Sequence, residues 1–113
     1  MPQQPSHDDR CLMVITTTDS ERAARALVAS VVGNRLAACA QIDGPVTSVY
    51  HWKGAIETAA EWRVVLKTTA ARYPELEARI RAEHSYDVPE IVATEITAGS
   101  ADYLAWLRTE TAP

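Results

Sequence analysis

The chain has 113 residues, of which 47% are hydrophobic and 23% charged, with a formal net charge of −4. That balance excludes a disordered chain, which would carry fewer apolar residues and a larger net charge. Asp and Glu (15) outnumber Lys and Arg (11), so electrostatics gives no reason to expect nucleic acid or an anionic membrane surface as a partner.

Residues 1–10, Met-Pro-Gln-Gln-Pro-Ser-His-Asp-Asp-Arg, contain two prolines and no apolar run, so they read as a disordered lead rather than a secretory signal. Residues 11–113 are expected to form one domain. No stretch approaches the ~20 apolar residues of a membrane span. Two cysteines, Cys11 and Cys39, match no zinc motif or disulfide framework, and a reducing, cytoplasmic setting is the expectation.

Cys11–Ile15 is apolar on both parities and predicts a strand buried on both faces. Thr18 and Glu21 have the spacing of a capping box. Ala24, Leu27, Val28 and Val31 then form a helical apolar stripe that Gly33-Asn34 is expected to stop. Leu36–Ile42 predicts a second strand, with Asp43-Gly44-Pro45 as a turn or bulge. Val46–Lys53 alternates, Lys53-Gly54 offers a turn, and Ala55–Thr69 is extended, so the region reads as a long bent hairpin. Pro74 suits the first position of a second helix. Leu76, Ile80 and His84 lie on one stripe of that helix, and Pro89 forbids its continuation. Ile91–Ile96 predicts a strand, Ser100 an N-cap, and Tyr103, Leu104 and Leu107 the inner face of a last helix.

The order β-α-β-β-α-β with a helical tail predicts an α+β, ferredoxin-like split βαβ fold. Helices cover one sheet face in that fold, yet several strands are apolar on both. At roughly 25 cal/mol per Å² of exposed apolar area, a homo-oligomer is the simplest cover.

Cys39 and His84 are the most interesting chemical pair, since thiolate and imidazole suit copper or zinc. The plainer reading makes Cys39 a core residue and His84 a helix end. His51 reads as an exposed strand histidine, and His7-Asp8-Asp9 as a group without fixed geometry. Tyr50, Trp52 and Trp62 form an aromatic group on the hairpin, read as subunit-interface anchors. Lys67 reads as an exposed strand end or an ion-pair partner. Glu90 is a possible acid or base near His84 and Tyr86, but no nucleophile, base and orienter fall together, so no catalytic residue is assigned and no enzyme is expected.

Arg35-Leu-Ala-Ala-Cys-Ala40, Ser48-Val-Tyr-His-Trp-Lys-Gly54, Leu66-Lys-Thr-Thr69 and Tyr73-Pro-Glu-Leu76 are hallmark segments. With His84-Ser-Tyr-Asp-Val-Pro-Glu-Ile91 and Tyr103-Leu-Ala-Trp-Leu107 they span nearly the whole chain in order. The chain thereby resembles the CutA divalent-cation tolerance proteins. The resemblance implies a homotrimer with intersubunit sheet, tolerance to copper or another divalent cation, and no established catalysis. It implies Cys39 and His84 as metal ligands, with Tyr50, Trp52, Lys67, Tyr86 and Glu90 lining a cleft. This chain departs from some copper-binding members in having Thr16 for a Cys and Glu83 for a His, which should weaken a copper site, and Ser85 stands where Pro is common. Similarity to PII signalling proteins suggests an alternative: a sensor of a small anionic metabolite using Lys67, Tyr86 and Glu90 with Arg72. A third reading is a structural trimer that anchors a partner protein.

Overall fold

The computed structural model describes residues 8–113. Its elements are β1 (Cys11–Thr18), α1 (Glu21–Gly33), β2 (Cys39–Trp52), β3 (Ala55–Thr69), α2 (Tyr73–Glu83), β4 (Ile91–Glu95) and α3 (Ala101–Glu110). The sheet is antiparallel in the order β2-β3-β1-β4, the split βαβ arrangement, and the α+β expectation holds.

Alternation along the strands decides which face meets the helices. Val14, Val64 and Leu66 are fully buried and join Ala24, Leu27 and Val31 of α1 and Leu76 and Ile80 of α2 in the core. Their neighbours Met13, Ile15 and Val65 point to the opposite face and are only half-buried. On β4, Val92 pairs with Ile15 and remains 50% exposed. The α3 helix reaches that second face at one end, where the Tyr103 hydroxyl lies 3.4 Å from Cys39 Sγ. The sheet is therefore sealed on one side and partly open on the other.

The β2–β3 hairpin extends beyond the rest of the sheet. Trp62–Thr69 of β3 pairs with β1, whereas among the described residues Ala55–Glu61 pairs with β2 alone. Lys53 and Gly54 turn it with φ of 50° and 81°. The arm carries Ile56 at 69% exposure. It makes the molecule elongated, with a radius of gyration of 15.4 Å against about 13 Å for a compact chain of this length.

Several local expectations are corrected. Ser20, not Thr18, caps α1: its hydroxyl accepts the Ala23 amide at 3.0 Å. Thr18 is still in β1 and donates to the Ser20 carbonyl at 2.8 Å. The left-handed residue after α1 is Arg35, with φ 59°, rather than Gly33 or Asn34. Leu36 and Ala37 are buried in the connection that follows, their amides bonded to the Val31 carbonyl, and β2 starts only at Cys39. Asp43–Pro45 is a bulge, as expected, but the strand runs on through it. Gly44 is needed there because a Cβ would stand 2.8 Å from Trp62 Cδ1. Residues 8–10, expected to belong to the loose lead, are held: the Asp8 and Arg10 carbonyls accept the Ala71 and Ala70 amides. Residues 1–7, His7 included, lie outside the described part.

Thr16 is fully buried on the helix-facing side, and its hydroxyl has no hydrogen-bond partner among the described residues. Replacing an unsatisfied buried hydroxyl by a methyl of the same shape removes a desolvation cost of about 1–3 kcal/mol. Thr16→Val is expected to raise the urea midpoint or leave it unchanged, while Leu66→Ala should lower stability by about 2–5 kcal/mol; equilibrium urea unfolding checks both.

Candidate functional site

A cleft of about 660 Å³ lies between the hairpin arm and the segment that follows α2. Tyr50 and Trp52 of β2, Glu61 of β3, and Tyr86, Asp87 and Glu90 line it. Among the lining residues there is neither Lys nor Arg.

His84 sets the position of the 84–90 segment. The α2 helix ends at Glu83, and His84 is its extended C-cap rather than a member of the helical stripe. Its Nδ1 accepts the Tyr86 amide at 3.1 Å, so that nitrogen is bare and the proton sits on Nε2. Nε2 then donates to the Thr17 carbonyl at 2.7 Å, clamping the segment onto β1. The Tyr86 ring packs against the imidazole, with centroids 4.7 Å apart.

Tyr86 in turn donates its hydroxyl to Glu61 Oε2 at 2.7 Å. Glu61 is only 7% exposed, and among the described residues no cation pairs with it. Burial, and then the Glu61 carboxylate, push the Tyr86 hydroxyl well above the ordinary tyrosine value of 10. The Cys39 bond followed by burial pushes Tyr103 up to about 12.

The residues singled out in the sequence fall into separate places. Tyr50, Trp52, Tyr86 and Glu90 share the cleft, and His84 clamps its wall. Lys67 lies elsewhere, paired with Cys39 on β2 and Met13 on β1. Thr17 stands four residues beyond Met13 along β1, which puts the His84 anchor roughly 16 Å from Cys39. One chain thus does not bring Cys39 and His84 together. Thr16 faces the helices while Cys39 faces the other way, and Glu83 is engaged by the Ser30 hydroxyl at 2.6 Å. Trp62 leaves the aromatic group and packs on the core. Arg72 borders a different groove, on α2 beside Asn34 and Leu36. His51 does line the cleft. Glu61 was missed by sequence reasoning, since a single Glu in an alternating strand carries no local sign of burial.

Residues 12–110 match the family described as CutA1 divalent ion tolerance protein. The chain belongs to the CutA family. It is 42% identical over 99 residues to the divalent-cation tolerance protein CutA of Thermus thermophilus, covering 88% of this chain and 96% of that one. The solved structure of the Thermus protein superposes with a TM-score of 0.88 at 41% identity, covering 90% and 99% of the two chains. A rice relative named Protein CutA 1, chloroplastic is 36% identical over 88% of this chain and 56% of its own length. The structure of the periplasmic CutA of Archaeoglobus fulgidus gives a TM-score of 0.87 at 29% identity, covering 90% and 99%. The family is thus one of divalent-cation tolerance, and its members' names place them in more than one compartment. No helix among the described residues is long and apolar enough to cross a membrane.

A tyrosine with a raised pKa keeps its proton in the native state where the unfolded chain has lost it. Its contribution is therefore complete below pH 10 and declines as the pH rises above 10. Tyr86→Phe should cost about 1–3 kcal/mol at pH 7, by leaving the buried Glu61 oxygen without its donor. The melting temperature of the variant should then fall less steeply above pH 10 than that of the wild type, as scanning calorimetry across that range would show.

Proposed function

We propose that this CutA-family chain acts as a homotrimer that takes up copper or another divalent cation between its subunits, without catalysis of its own. The observation that carries this reading is the half-open sheet face. Met13, Ile15, Val65 and Val92 lie on it without a helix layer over them, and sister chains covering that face would bury it. The unpaired edge of Ala55–Glu61 offers a strand for intersubunit pairing.

Cys39 points to the same face. Its thiol and the Tyr103 hydroxyl, 3.4 Å apart, would present two donors toward a neighbouring chain. Thiolate favours Cu(I) and Zn(II), and bound metal favours the deprotonated thiol. A copper site made of Cys39 and His84 from one chain does not fit this geometry. The two are far apart, both imidazole nitrogens are engaged, and no three His, Cys, Asp or Glu among the described residues gather to hold an ion. A shared site therefore needs donors from a second subunit, and His84 serves as the clamp of the cleft wall. The small-anion alternative is disfavoured at the cleft by its carboxylates and by the absence of Lys and Arg from its lining. A cytoplasmic setting would keep Cys39 reduced.

Calorimetric titration of the apo protein with Cu(I), Cu(II) and Zn(II) tests the metal site. Saturable binding that is lost in Cys39→Ala and kept in His84→Asn is expected; unaltered affinity in Cys39→Ala would remove the thiol from the account. Assembly is tested separately by Val92→Glu, which places a charge on a side chain exposed in the single chain. Sedimentation should then show folded monomers, and intact trimers would contradict the proposed interface.

A further inference from the structure

We infer that the groove between the start of α2 and the end of α1 binds a small oxyanion, the phosphate or carboxylate group of a ligand, on the free edge of the Arg72 guanidinium. The groove is formed by the helices and the connection after α1, not by the open sheet face, so the site is independent of the metal reading above.

The observation that carries it is an orphaned donor. Arg72 Nε is buried and has no hydrogen-bond partner among the described residues, and the side chain as a whole is only 13% exposed. A buried N–H of a charged group left without an acceptor is costly, and nearly all such groups in folded proteins find one. Arg72 Nη1 donates to Glu75 Oε1 at 3.1 Å. Nη1 stands on the Cδ side of the guanidinium fork, so Glu75 leaves the opposite edge, where Nε–H and an Nη2–H run parallel. That edge grips a carboxylate or phosphate through two bonds at once.

The carbonyls at the end of α1 do not call for this edge. The Ser30 carbonyl accepts the Asn34 amide and Asn34 Nδ2, the Val31 carbonyl accepts the Leu36 and Ala37 amides, and the Val32 carbonyl accepts the Arg35 amide. The end of α1 is therefore capped without Arg72.

The groove has a volume of about 380 Å³, enough for a small metabolite. Its charged lining residues are Arg72, Arg79 and Glu75, a balance of one positive charge, with Leu36 and Ala78 among the apolar ones. Glu75 is 66% exposed, and an ion pair so open to water contributes little against a ligand on the other edge. Arg72 is also the N-cap of α2, where the helix dipole favours negative charge. Arg79, two turns along, donates to Ser30 Oγ at 3.1 Å and adds its charge to that end of the groove.

The test is titration of the assembled full-length protein with inorganic phosphate and with succinate, at constant ionic strength held by chloride. Heat is read by calorimetry and the Arg72 Nε–H signal by 15N NMR, assigned from its absence in Arg72→Lys. Saturable binding of one anion per chain with a shift of that signal is expected. Phosphate alone doing so marks a phosphoryl ligand, succinate alone a carboxylate ligand, and either supports the site. Arg72→Lys keeps the charge but loses the two-bond edge, and should weaken binding by about tenfold or more. Glu75→Gln should leave binding intact or tighten it. An unmoved Nε–H signal at millimolar concentrations of both anions, a measurement that needs no variant to fold beyond the assignment, would overturn the inference. So would wild-type affinity in a folded Arg72→Lys.

Discussion

The sheet of this protein has two apolar faces and helices enough for one of them. Val14, Val64 and Leu66 are sealed beneath α1 and α2, while Met13, Ile15 and Val65 look out on the other side with α3 covering only one end. Apolar area left in water weakens a small domain whose net stability is only about 5–15 kcal/mol. The long hairpin arm has the same need, since seven residues of β3, Ala55–Glu61, have no partner on their second edge among the described residues. Both features become reasonable when several copies of the chain share their strands. In the proposed assembly, groups on the open face, such as Cys39, would belong to an interface, whereas the helix-side core plays a structural part.

The cleft is held by a short chain of polar contacts. His84 ties the segment after α2 to the Thr17 carbonyl, its Nδ1 orients Tyr86, and Tyr86 reaches Glu61. Each link satisfies a group that burial would otherwise leave costly. An imidazole used in this way on both sides has no free lone pair. The same histidine that suggests a metal ligand by type is, by geometry, a fastening for the wall of an acidic and aromatic cleft.

Much of the fold was legible in the sequence, because hydrophobic period and punctuation agree at most positions. The alternating run before Lys53-Gly54, the proline opening α2 and the two-sided apolar strands each state their role locally. Errors arose where tertiary geometry chose between near-equivalent residues. Ser20 rather than Thr18 caps α1 because β1 continues through Thr18. Arg35 takes the left-handed conformation because the chain must fold Leu36 and Ala37 back under the helix.

The candidate site was harder to read. Tyr50, Trp52, Tyr86 and Glu90 were picked out by resemblance and share one cleft, but neither the burial of Glu61 nor the separation of Cys39 from His84 has any trace in spacing. Lys67 shows the limit well: it stands beside Cys39 in the sheet, six residues along β3 from Glu61 of the cleft.

Sedimentation equilibrium of the unmodified protein at micromolar concentration tests the central claim most directly. A mass of three chains, unchanged on further dilution, is the result predicted by a sheet that needs its sisters for cover. A stable, folded particle with the mass of one chain would contradict it.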